Sequence, residues 1–290
     1  GRVTKGTVKS MHAKVLLTMA GYPLQKGTEY YTKAYNMAKQ VYASGKFHLF
    51  DTYEKLRTVE NSGEIIWSIQ READNAGNPL HSALLAYPAP VKAVSASAAY
   101  GGAITVTQMF FDTYPEGDKR KDERKFYYTQ QEALDKSGMV DLGRLYIYKY
   151  WDQNAAEVGK SGANFTLLRY ADVLLMVAEA KAQADGGTTT DADAIEAYYS
   201  VRKRALPQEA KPTSITADKV LQERFWELAF ENQTWYDMVR TRKALHAVTG
   251  QMVNMIGYQT PSHTAPFTEA SLLLPYPIRE KRLNPNLKRD

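Results

Sequence analysis

The stretch Glu223–Arg240, ERFWELAFENQTWYDMVR, constrains the fold more than any other part of this chain. It sets Glu223, Glu227 and Glu231 in successive i, i+4 steps, one row of a helix, among Phe225, Trp226, Leu228 and Phe230, which have to be buried. Like charges at that spacing repel by roughly 0.2–0.5 kcal/mol per pair in water, and by far more under cover. Either cations meet the row or its carboxylates do chemistry. Geometry favours cations. A catalytic pair faces across a substrate, usually from different elements, whereas one helix row points a single way, and bulky neighbours leave little room for a cleft. Arg202, Arg204, Arg224, Arg240 and Arg242 lie close in sequence, and a guanidinium fork is the natural partner of a partly buried carboxylate. A glycoside hydrolase stays open on distance alone, since i, i+4 neighbours about 6 Å apart approach the roughly 5–5.5 Å of a retaining pair.

Two earlier blocks read as helix pairs. Val3–Ala20 and Thr28–Ser44 are split by Gly21-Tyr22-Pro23, with Gly45 closing the second helix and Ala13, Ala20, Ala34 and Ala38 allowing close approach. Leu168, Ala171, Leu175, Ala178 and Ala182 mark one face of the next helix; Asp185-Gly186-Gly187 stops it, and Asp193–Ala205 is its antiparallel partner. Thr216 then caps a helix over Asp218–Glu231, with Ile215 and Val220 as a hydrophobic staple, and another helix covers Trp235–Ala247. Pairs of this size are similar to tetratricopeptide repeats, but more than a hundred residues separate them, so no regular solenoid is expected. The expectation is a mainly α fold of tetratricopeptide-like helical repeat pairs with long irregular loops and minor β. It forms one domain over residues 1–290: a helix pair at 1–45, a loop-rich ligand-side region at 46–160, a helix pair and C-terminal helices at 161–250, and a tail at 251–290.

The middle is the unusual part. After a strand at Glu64–Gln70, the chain from Asn75 to Phe111 carries one charged residue, Lys92, and long loops of this kind tend to be functional. Tyr146, Tyr148 and Tyr150 alternate as half-buried ladder residues, while Trp226 and Trp235 are assigned to the core. Net charge is +5, yet the run Asp118–Lys125 (DKRKDERK) alternates in sign as a solvated surface does, and the Arg279–Arg289 cluster lies at the end. Nucleic acid is therefore not expected. With no cysteine and no zinc spacing among the five histidines, no metal site is read, and no cofactor motif is present. The chain opens inside a packed helix, which reads as a processed or truncated start.

Taken together, the opening GRVTKG, EIIWSIQ (Glu64–Gln70), NFTLLRYADVLLMVAEAKA (Asn164–Ala182), VRKRA (Val201–Ala205), Glu223–Arg240 and LPYPIREKRLNPN (Leu274–Asn286) resemble the SusD/RagB family. These are surface glycan-binding lipoproteins of Gram-negative polysaccharide-utilisation systems. The resemblance implies a non-enzymatic protein that binds an oligosaccharide or polysaccharide and sits as a lid on a SusC-like TonB-dependent transporter. It also implies an outer-membrane, cell-surface location through a lipid-anchored N-terminal cysteine that this sequence lacks. The family's acid and arginine framework positions fall on Arg169, Glu179, Arg202, Glu223, Arg224, Glu227, Glu231, Asp237 and Arg240. The usual QNPGY-like end is replaced by Leu287-Lys288-Arg289-Asp290.

No family motif fixes the ligand residues, so they are argued physically. A pyranose rests its C–H face on an aromatic ring and offers its hydroxyls to amides and hydroxyls. Tyr100 beside Gly101-Gly102 and Tyr87 beside Pro88 are the ring candidates, with Gln70, Asn78 and His81 as polar partners. The alternative is a tetratricopeptide-like protein-binding scaffold, with the glycoside hydrolase third.

Overall fold

Thr4 sets the first helix: its hydroxyl accepts from Thr7 N at 3.2 Å, capping α1 (Lys5–Ala20), and α2 (Gly27–Tyr42) returns against it. The computed structural model describes residues 2–86, 91–97, 104–273, 276–284 and 286–287. The second pair is α3 (Tyr170–Ala184) and α4 (Ala192–Ala205), the latter capped by the Asp191 carboxylate, which accepts from Ala194 N at 2.9 Å.

The two pairs stack directly despite their separation in sequence. Helix α2 packs on α3, and the Tyr35 hydroxyl donates to Asp191 at 3.1 Å, across 156 residues. Helix α3 is the hub, with α1, α2 and α4 packed around it. Every residue from Tyr170 to Ala180 is buried, so the helix is apolar all round except where Asp172 and Glu179 meet cations. Ala34, Ala38, Ala171, Ala178, Ala194 and Ala197 keep the backbones close.

Helix α5 (Ala217–Glu227) packs on α3, and the Thr216 hydroxyl accepts from Lys219 N at 3.1 Å to start it. Ile215 and Val220 are both buried there, as a staple requires. The helix is shorter than the expected Asp218–Glu231. Arg169 Nη2, Lys149 Nζ and the Tyr150 hydroxyl take up the carbonyls of Glu227, Ala229 and Phe230, giving the terminal acceptors partners outside the helix. Phe230 and Asn232 then turn left-handed, at φ 66° and 57°. Glu231 therefore lies beyond the helix, not on its row. Helix α6 (Thr234–Thr241) likewise stops before the expected Ala247, because Arg242 is left-handed at φ 56° and the chain becomes a strand. Trp235 is 36% exposed on that short helix, against Phe267, and is not a core residue.

The strands are β1 (Ile65–Ile69), β2 (Tyr127–Glu132), β3 (Met139–Ile147), β4 (Phe165–Arg169), β5 (Thr188–Thr189), β6 (Ile215–Thr216), β7 (Lys243–Leu245) and β8 (Met252–Asn254). Among the described residues they form only two-stranded antiparallel ribbons: β1 with β4, β2 with β3, β5 with β6 and β7 with β8. The β1–β4 register pairs Ile65 with Arg169 and Ile69 with Phe165, which sets Glu64 beside the start of α3. A second core gathers Tyr114, Phe126, Tyr127, Phe225 and Trp226; a third gathers Tyr128, Tyr146, Tyr148 and Trp151. Tyr146 and Tyr148 are thus buried outright, and Tyr148 and Tyr150 lie past the end of β3.

Candidate functional site

The carboxylates at 223 and 227 are completely covered, and cations converge on them from three distant segments. Arg120 grips Asp118 through two nitrogens, at 2.9 and 2.7 Å, and sends Nη1 to Glu223 at 2.6 Å and to Glu227 at 3.1 Å. Arg202 takes the other Glu223 oxygen at 2.9 Å. Arg204 and Arg169 each bridge Glu64 and Glu227, with contacts of 2.6–2.7 Å. Arg169 also holds Glu231, which Lys149 meets from the other side. A second cluster joins Arg224 to Asp172 and Asp237 at 2.8 Å, Arg240 to Glu179 and Asp237 at 2.5–2.7 Å, and Lys14 to Asp172 at 3.0 Å.

Burial alone would raise the Glu227 pKa; the guanidinium groups of Arg204, Arg169 and Arg120 outweigh it and hold the carboxyl far below its ordinary 4.5. At Asp172 burial is likewise outweighed, by Lys14 and Arg224. Such a group keeps its charge and has no proton to give near neutral pH. Arg120, Glu64, Lys149 and Asp172 were not legible as members of this network. Arg120 and Asp118 sit in the alternating run expected at the surface, yet both are buried. Charge alternation reports sign and not the partner that folding brings.

A cleft opens beside this network, with about 760 Å³ of empty space including its mouth. Three distant segments line it: Leu56–Asn61, Lys149–Trp151 and the stretch from Ser161 to Arg169, with Asn78 and His81 at one side. Its floor carries Arg169, Lys149 and Glu231, so the ion network surfaces there. Trp151 stacks almost parallel on Tyr148, at 5.7 Å and 11°, and the Arg57 guanidinium lies 4.4 Å over the other partner in that stack, the Tyr148 ring. Burial lowers the Arg57 pKa from its ordinary value. The rim is a web of amides: Asn61 and Gln70 exchange bonds of 3.0 and 2.9 Å, and Asn164 donates to Gln70 at 3.3 Å and to Glu60 at 2.7 Å.

The structure brings three of the five expected ligand residues to this place. Asn78 lines the cleft, donating to Ala163 O at 2.9 Å and accepting from Leu80 N at 3.0 Å. His81 lines it too but is only 2% exposed; Nδ1 accepts from Asp152 N at 3.1 Å, which leaves the proton on Nε2, 3.3 Å from Ser95 Oγ. Burial pushes its pKa down to about 4, against the pull of Asp152. Gln70 sits in the rim web. Tyr87 and Tyr100 lie outside the described residues. Arg57, Asn61 and Asn164 were not singled out from the sequence, since no local motif announces residues that only β1–β4 pairing brings together. Among the described residues no group of three or more His, Cys, Asp or Glu could hold a metal, and no helix is long and apolar enough to cross a membrane.

Comparison with known proteins gives a consistent picture. The sequence model of the SusD family matches residues 105–290. A solved SusD superfamily protein from Parabacteroides distasonis superposes with a TM-score of 0.89 at 35% identity, over 100% of this chain and 63% of that one. SusD-like protein P2 of Formosa agariphila is 30% identical over 169 residues, 49% of this chain and 32% of that protein. Surface glycan-binding protein A from Bacteroides thetaiotaomicron, solved in complex with laminarihexaose, shares the fold with a TM-score of 0.74 at 20% identity, over 98% of this chain and 62% of that one. The chain therefore spans less than two thirds of the length of each of these proteins.

Proposed function

The chain belongs to the SusD family, and from that premise we propose that it binds oligosaccharide without cleaving it and delivers it to a SusC-like TonB-dependent transporter at the outer-membrane surface. The observation that carries the binding reading is the cleft, which is lined by the amides of Asn61, Asn78 and Asn164 and the hydroxyls of Ser68 and Ser161, the group types that pair with sugar hydroxyls. The laminarihexaose-bound relative supports the same ligand class. Tyr87 and Tyr100 remain the proposed ring platform, and Gln70, Asn78 and His81 its polar neighbours; the buried ring of His81 acts by holding the cleft wall.

The non-catalytic reading is supported by the carboxylates themselves. Glu223 and Glu227 are fully covered and bound by arginines, and neither lines the cleft. Glu231 does, but it is clamped between Arg169 and Lys149. Membership of the family supports the transporter partner and a lipid anchor on the whole protein. Binding is expected to be weak, about 4–6 kcal/mol, in the micromolar to millimolar range. Affinity electrophoresis and calorimetry against plant, host and microbial glycans test it; retardation or heat with none of them overturns the reading.

A further inference from the structure

The cleft contains a charge that its own walls do not answer. Three cations line it, Arg57, Lys149 and Arg169. Lys149 and Arg169 are matched by Glu231, and Arg169 also by Glu64 and Glu227. Arg57 has no carboxylate within ion-pair distance among the described residues, and its Nε is buried without a hydrogen-bond partner. Tyr148, whose ring it covers, and the charge of Glu54 are what act on it, and neither is a carboxylate paired with it in the cleft wall. The nearest acid in the wall by sequence, Glu60, is already engaged: Asn164 N and Nδ2 each donate to it at 2.7 Å. A half-buried guanidinium normally finds a partner, because its desolvation is otherwise uncompensated.

The setting also orients that guanidinium. Its central carbon stands 4.4 Å from the centroid of the Tyr148 ring, which is itself stacked on Trp151. A guanidinium held in one plane presents its N–H fork with little further loss of rotamer freedom, and such forks match carboxylates in two parallel bonds. Asn61, Asn78, Asn164, Ser68 and Ser161 line the same cleft with amide and hydroxyl groups.

From this geometry we propose that the cleft selects acidic glycans, with Arg57 binding the carboxylate of a uronic acid residue while the amide and hydroxyl wall takes its neighbours. This rests on the glycan-binding reading and narrows it to one class of sugar. The Arg57–carboxylate contact is partly desolvated, so it contributes selectivity and not only long-range attraction.

The test measures binding by calorimetry for the 290-residue chain with oligomers of galacturonate, mannuronate, guluronate and glucuronate, each beside its methyl ester, and with neutral laminarihexaose. At least one uronate is expected to bind about tenfold to a hundredfold more tightly than its ester, as a charged hydrogen-bonded pair implies. That advantage should shrink as salt rises. Arg57→Gln should remove the advantage and leave the ester's affinity within about twofold; Arg57→Lys, which keeps the charge and loses the fork, should restore only part of it. Circular dichroism melts of both variants establish that they are folded. If neutral glycans bind and no uronate outdoes its ester, the acidic-sugar assignment is overturned while glycan binding stands. A uronate preference that survives Arg57→Gln overturns the role of Arg57. Binding of neither class overturns both readings.

Discussion

Arg120 Nη1 donates to Glu223 Oε1 across 2.6 Å, although 103 residues separate them along the chain. Both side chains are fully buried, and the same nitrogen reaches Glu227 at 3.1 Å. A run of alternating charges thereby supplies the cation that lets two carboxylates stand one turn apart under cover.

Replacing that cation should be severe. Arg120→Met leaves Asp118 without its bidentate partner and Glu223 and Glu227 one donor short, so a loss of about 3–5 kcal/mol is expected. Urea unfolding measures it. A loss under about 1 kcal/mol would mean that Arg202, Arg204 and Arg169 carry the pairing alone.

The network also sets the acid limit of the fold. Asp172, Glu227 and Glu231 all have pKa values below the ordinary 3.8 and 4.5, burial being outweighed by Lys14 and Arg224, by Arg204, Arg169 and Arg120, and by Arg169 and Lys149 respectively. In the unfolded chain these groups take up protons first, so their contribution is complete above about pH 4.5 and is lost as pH falls further. Unfolding free energy measured from pH 5 to pH 2.5 should decline steeply. A flat profile there would contradict the pairing.

His81 acts in a separate window. Its folded pKa is about 4 against an ordinary 6.5, because burial disfavours the charged ring. Between those values the unfolded chain binds the proton and the folded one does not, so stability falls as pH drops from 6.5 towards 4, by on the order of 3 kcal/mol. His81→Gln removes the titration. Its stability, though lower at neutral pH, should be nearly level between pH 6.5 and 5, and an unchanged slope would assign the effect elsewhere.

Gly21 should not tolerate a side chain. An added Cβ would stand 2.3 Å from the Arg240 carbonyl oxygen, the same atom that accepts from Tyr22 N at 2.8 Å. Gly21→Ala must push the α1–α2 turn off the end of α6, with an expected loss of about 1–3 kcal/mol. Calorimetric melting tests this; an unchanged transition would show the turn free to shift.

The helices were legible where local chemistry decides them. Thr216 and the Ile215–Val220 staple mark a helix start that depends on neighbours a few residues away. The end of α5 was not legible, because Arg169, Lys149 and Tyr150 impose it from distant segments and force left-handed backbone on Phe230 and Asn232, neither a glycine. Trp235 failed as a core residue because its ring lies at the start of α6 against Phe267, a neighbour from the distant tail that covers it only in part. In the cleft, Asn78 was visible as an amide in the low-charge stretch, and at its rim Gln70 as an amide at the end of the expected strand. Arg57 could not, since an unmatched cation is visible only after every other charge has been matched in space.

The stacking of α2 on α3 has a consequence for how the chain reaches its fold. Helices α1 and α2 emerge from the ribosome long before α3, the element that covers Ala34, Tyr35, Ala38 and Val41. Until then the first pair is a half-made interface with an uncovered apolar seam. Contacts of such high sequence separation slow folding and lengthen the exposure of sticky intermediates. A nascent chain stalled before residue 170 should therefore engage holdase chaperones, and one released after 184 should let go of them.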